Sequence, residues 1–163
     1  MRRFLPTILV VLMVMIECSV LPVLVVSWAC PMITFTGVIV LGLLLGRSRG
    51  LFYGMMAGLL IDILFATPLG YNAVLYLLAG YAAGIAGRRF QRHLLTPVVT
   101  PVVLLSMFEM VSVGYLYLAG ATLNTILLRN ALVRIAAGTV LGQALYLLFN
   151  LLLKPVWSRF AAK

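Results

Sequence analysis

Glu17, Asp62, Glu109 and Arg134 are the side chains whose positions invite chemistry, because each interrupts a run of apolar residues. A charge near the middle of a membrane helix costs about 2.5–3.5 kcal/mol on the lenient insertion scale, so each needs a partner, a packing role or a task. Buried acids can relay protons, pair with a base or bind backbone groups. An aspartyl catalytic pair needs two Asp residues, and Asp62 is the only one here. No His-containing triad, Cys/His metal spacing or glycine-rich phosphate loop is legible. His93, the only histidine, sits in the basic segment Arg88-Arg89-Phe90-Gln91-Arg92-His93. The pattern therefore argues against an enzyme and against a bound cofactor or metal.

The elements that carry these residues belong to a membrane. Of 163 residues, 64% are hydrophobic and 9% charged, and apolar stretches follow one another with short basic breaks. One helical crossing takes about 20 residues, so the chain has room for about six and for no soluble domain. The breaks predict spans at 4–28, 30–46, 51–66, 71–87, 94–119 and 130–153, forming one domain over 1–163. Leu9 to Leu24 and Leu145 to Leu153 are nearly continuous apolar blocks, unlike the alternating strands of a barrel. The expected class is all-α, a polytopic bundle of six transmembrane helices.

Basic residues orient that bundle, because Lys and Arg accumulate in short cytoplasmic loops. Arg2 and Arg3, Arg47 and Arg49, Arg88, Arg89 and Arg92, then Lys154, Arg159 and Lys163 fall on one side. The opposite connections hold only Arg129, and Arg134 falls inside the sixth span. Both termini are expected in the cytoplasm, with the protein multi-pass in its membrane. The net charge of +9 is spread over four membrane-edge sites, which excludes a nucleic-acid surface. Anionic lipid headgroups are the expected counter-charge, above all around Arg88 to His93.

Met1-Arg2-Arg3 leads into an apolar run without a small-x-small cleavage site, so the first span reads as uncleaved. Cys18 and Cys30 lie roughly 18 Å apart along a continuous helix and cannot pair with each other. Cys30 leaves an intermolecular bridge, and so a homodimer, open. The halves 1–87 and 94–163 share no motif that would mark an inverted repeat. Trp28 and Trp157 suit interfacial anchors.

The third and fourth spans hold the most specific pattern. Gly54, Gly58, Asp62 and Ala66 recur every four residues and share one stripe, and Gly80 and Gly84 answer on the next span. Between them Pro68-Leu69-Gly70-Tyr71-Asn72 predicts a tight turn: Pro ends the helix, Gly permits unusual dihedrals, and Asn suits a helix start. The two spans are expected to form a close antiparallel hairpin, with the small residues serving bundle packing or the docking of a partner.

This stretch, G-x3-G-x3-D followed by P-L-G-x-N-A over about residues 50–84, resembles the MreD family of the bacterial rod-shape system. Phe65 and Ala66 depart from that pattern, which has a small polar residue and Gly there. The resemblance implies a fold similar to the substrate-binding subunits of ECF-type vitamin transporters. It also implies a non-enzymatic scaffold that binds MreC and supports peptidoglycan synthesis in the elongation machinery. MreB, RodA and a class B penicillin-binding protein are implied members of the same complex. The alternative is the substrate-binding subunit of a small-molecule transporter, with Tyr71, Asn72, Tyr115, Tyr117 and Asn124 available at an outer mouth. Against it, Phe4 to Val26 lacks the Ala-x-x-x-Ala spacing with which such subunits dock their energising module.

Depth gives a further expectation. At about 1.5 Å per residue, Glu17, Asp62 and Glu109 all reach roughly 20–24 Å from the cytoplasmic ends, and Arg134 enters to a comparable level from outside. This predicts an intramembrane polar cluster in which Arg134 meets Asp62 or Glu109, or else snorkels to the outer headgroups. Glu17 has a second candidate partner, the Cys18 carbonyl left free by Pro22. Gln143 and Asn150 share a face of the sixth span and are expected to bridge neighbouring helices. Pro97 and Pro101 shape the start of the fifth.

Overall fold

The computed structural model describes residues 5–19, 32–64, 70–89, 96–118 and 125–157. Those residues form six helices: α1 (Leu5–Ser19), α2 (Ile33–Leu45), α3 (Arg47–Leu64), α4 (Tyr71–Arg89), α5 (Thr96–Leu118) and α6 (Thr125–Trp157). No strand occurs among the described residues. By length and composition two segments suffice to cross a membrane, Thr96–Tyr115 and Arg129–Phe149, while Pro6–Ser19 and Ile33–Leu45 are shorter apolar helices. The expected turn residue Pro68, together with Pro22, Trp28, Cys30, Ala66, His93 and Asn124, lies outside the described residues.

Helix α2 is the axis of the bundle. Its sequence Ile-Thr-Phe-Thr-Gly-Val-Ile-Val-Leu-Gly-Leu-Leu-Leu has no polar face, and every residue from Thr34 to Leu43 is buried. A helix apolar all round is enclosed either by protein or by lipid; α2 is enclosed by protein, touching all five others. Phe35 packs edge-on to Tyr76 of α4 at 4.9 Å and against Phe108 of α5 at 4.6 Å. Three helices are thereby joined through one aromatic cluster.

Only Gly46 separates α2 from α3. Its φ of 86° lies in the left-handed region that favours glycine. Its N–H donates to the Gly42 carbonyl at 2.9 Å, and its own carbonyl accepts from the Gly50 N–H at 2.9 Å. The third span was expected from residue 51, with Arg47 and Arg49 in a loop. They stand instead in the first turn of α3, because a single left-handed residue is enough to end one helix and start the next.

Candidate functional site

Helices α3 and α4 are in backbone contact. A methyl group built on Gly54 would strike the Tyr76 carbonyl, and one on Gly58 would overlap Ala73, with the Asn72 carbonyl at 2.7 Å. Gly50 and Gly80 each face the other's carbonyl oxygen, and Gly84 faces the backbone of Arg47. A methyl group built on Gly42 of α2 would lie 2.6 Å from the same Gly80 carbonyl, so three helices converge where none has a side chain. The stripe Gly54, Gly58, Gly80 and Gly84 is therefore turned into the hairpin.

Asp62 stands at the far end of this seam and is 1% exposed. Its Oδ2 accepts the N–H groups of Gly70 at 2.9 Å and Ala73 at 3.1 Å, and its Oδ1 accepts that of Asn72 at 3.1 Å. The first N–H groups of a helix have no partner within it, and the helix dipole places partial positive charge there. One carboxylate from α3 thus caps α4 across the turn. Gly70 makes the geometry reachable with φ 102°, and its carbonyl accepts from Val74 N–H at 3.0 Å. The cap comes from the preceding helix; the expected source was Asn72 within the turn.

Glu17 does the equivalent for α2. Its Oε2 accepts the Thr34 N–H, in the first turn of α2, at 2.7 Å. The polar cluster and the Cys18 carbonyl were the two candidate partners, and Pro22, on which the second depends, lies outside the described residues; the carboxylate serves a helix start, where an N–H is free.

Arg134 on α6 meets Glu109 on α5, with Nη1 to Oε1 at 3.7 Å. The Glu109 side chain is 7% exposed and that of Arg134 34%. Of the two candidate partners for Arg134, the structure brings Glu109 to it and directs Asp62 to backbone N–H groups. The four residues expected in one cluster are thus divided among three junctions: α1 with α2, α3 with α4, and α5 with α6. The last junction is reinforced by Gln143, whose Nε2 donates to the Pro97 carbonyl at 2.7 Å. Pro101 lies inside α5. Among the described residues no group of three or more His, Cys, Asp or Glu side chains comes together to hold a metal.

The model of the family described as rod shape-determining protein MreD matches residues 1–156, nearly the whole chain. The chain belongs to the MreD family. Its role accordingly lies in rod-shape determination, and it is a membrane protein of helical build. No curated protein and no solved structure matches the chain.

In this MreD-family bundle several close contacts were not anticipated. Gly42 and Gly50 continue the four-residue spacing of Gly54 and Gly58 backwards through Gly46, a repeat that was legible in the sequence. Gly138 and Gly142 bring α6 to α2 and α5: a methyl group on Gly138 would lie 2.8 Å from Leu105 Cδ1, and one on Gly142 2.9 Å from Thr36 Cγ2. Of the residues assigned to an outer mouth, Tyr71 and Tyr115 stack with ring centroids 5.2 Å apart, and Tyr117 is exposed.

Proposed function

We propose that this chain is a non-enzymatic membrane scaffold of the bacterial cell-elongation machinery, holding MreC and supporting peptidoglycan synthesis. In this reading all six helices cross the inner membrane as one domain over 1–163, with both termini cytoplasmic. Such a bundle is of the kind found in the substrate-binding subunits of vitamin transporters. MreB, RodA and a class B penicillin-binding protein join it through the same assembly.

The observation that carries this reading is that each of the three acids stands at a junction between two helices. Asp62 and Glu17 close helix starts, Glu109 is held by Arg134, and glycines close the α3–α4 seam. These contacts give a bundle fixed in shape, and a fixed shape suits a platform for other chains. The faces left apolar and exposed, such as Met107, Met110 and Val111 on α5 and Val140, Leu147 and Leu151 on α6, suit lipid and partner helices.

Complementation tests the proposal. In rod-shaped cells depleted of their own MreD, this chain is expected to restore rods and to retain MreC at the membrane. Restored rods with MreC dispersed would remove MreC binding from the account.

A further inference from the structure

The charges of the bundle are divided between the two ends of its α2–α3–α4 core. All three acids stand towards one end. Glu17 meets the first turn of α2, Asp62 the first turn of α4, and Glu109 neighbours Phe108, whose ring touches Phe35 in that same first turn of α2. The opposite end carries Arg47 at the start of α3 and Arg88 and Arg89 at the end of α4, all exposed. Asp62 lies roughly 22 Å along α3 from Arg47 at about 1.5 Å per residue. Among the described residues no Asp or Glu reaches these three arginines.

Glycine contacts bring Arg47 and Arg88 together, and Arg89 is the next residue along α4. The backbone of Arg47 rests on Gly84, so the start of α3 lies one helical turn from Arg88. The Arg88 guanidinium lies over the Gly46 corner, with Nε 3.4 Å and Nη2 3.7 Å from where a Gly46 Cβ would stand. Arg88 also ends an exposed stripe along α4: Val74, Leu78, Tyr81, Ile85 and Arg88 follow at helical spacings of four and three, all open to the surroundings. A guanidinium fork matches phosphate oxygens. A phosphate with hydrocarbon attached matches the whole profile, charged end and apolar stripe together; a soluble anion uses only its end, and an acidic peptide leaves the stripe unused.

We propose that Arg47, Arg88 and Arg89 bind the headgroup phosphate of an anionic phospholipid whose acyl chains lie along Val74, Leu78, Tyr81 and Ile85. The proposal rests on the membrane-spanning reading above and adds a lipid class and a place to it.

The test is native mass spectrometry of the full chain in mild detergent with phosphatidylglycerol, cardiolipin or phosphatidylcholine. The wild type is expected to retain the two anionic lipids over phosphatidylcholine. R47Q/R88Q is expected to lose that preference on the order of tenfold, while R129Q, at an exposed arginine of α6, keeps it. R47K/R88K preserves the charge and is expected to retain most of the binding, which separates lost charge from lost folding. Unchanged retention by R47Q/R88Q, or equal loss from R129Q, would overturn the site. Release of the lipid by millimolar inorganic phosphate would overturn its assignment to a lipid. Failure of the membrane reading shows elsewhere: carbonate washing would strip the wild-type chain from membranes.

Discussion

The Asp62 carboxylate at the end of α3 accepts the Ala73 backbone N–H in the first turn of α4 at 3.1 Å. One turn earlier on α3, Gly58 lies against the same Ala73 backbone. Cap and close approach depend on each other: the carboxylate reaches three N–H groups only because the glycines let the helices touch, and its bonds tie the start of α4 to the end of α3.

Removing the carboxylate therefore loosens the hairpin. Asp62→Ala leaves the N–H groups of Gly70, Asn72 and Ala73 without this acceptor, at a cost of about 2 kcal/mol or more. For a chain of this size that corresponds to a fall of roughly 4–8 °C in the thermal midpoint, read in mild detergent. Asp62→Asn keeps one acceptor oxygen and is expected to lose less. Equal stability of wild type and Asp62→Ala would count against the cap.

Gly58→Leu places a branched side chain where Ala73 backbone already lies. Overpacking of this kind costs about 1–3 kcal/mol or more, so membrane levels of the protein and its retention of MreC are expected to fall. Gly114 has nothing within 4 Å of a built Cβ, and Gly114→Leu is expected to leave both unchanged. Quantitative blots of the two variants decide whether the glycine stripe acts through the seam.

The Glu109–Arg134 pair makes a prediction about charge exchange. Arg134→Ala leaves Glu109 buried without its cation, a loss of about 1–2 kcal/mol for a pair whose arginine is a third exposed. The reversed pair E109R/R134E is expected to be more stable than either single variant. D62R/R134D is expected to recover nothing, because Asp62 serves backbone N–H groups. Recovery by the second exchange and not the first would reassign the partner of Arg134.

Glu17→Leu strands the Thr34 N–H at the start of the central helix, whereas Glu17→Gln keeps an acceptor for it. The first is expected to cost about 1–2 kcal/mol and the second a fraction of that, as thermal midpoints. Similar midpoints for both would mean that the Thr34 contact contributes little.

The helical class and the α3–α4 hairpin were legible because they rest on patterns that sequence carries: continuous apolar runs, and glycines four apart ending on Asp62. The partner of Asp62 was not, since backbone N–H groups look alike at every residue. Arg134 illustrates a second limit. Depth along a helix placed Asp62 and Glu109 equally near it, and only the rotation of each helix about its axis separates them. The corner at Gly46 was missed because Gly46-Arg47-Ser48-Arg49-Gly50 reads as a polar loop, yet one left-handed glycine turns the chain and all four following residues are helical.

Affinity capture of the tagged chain from native membranes in mild detergent, with partners identified by mass spectrometry, tests the scaffold most directly. The account predicts recovery of MreC together with RodA or its class B penicillin-binding partner. Recovery of paired ATPases with their coupling subunit, and no MreC, would contradict it and make this bundle the substrate-binding part of a transporter.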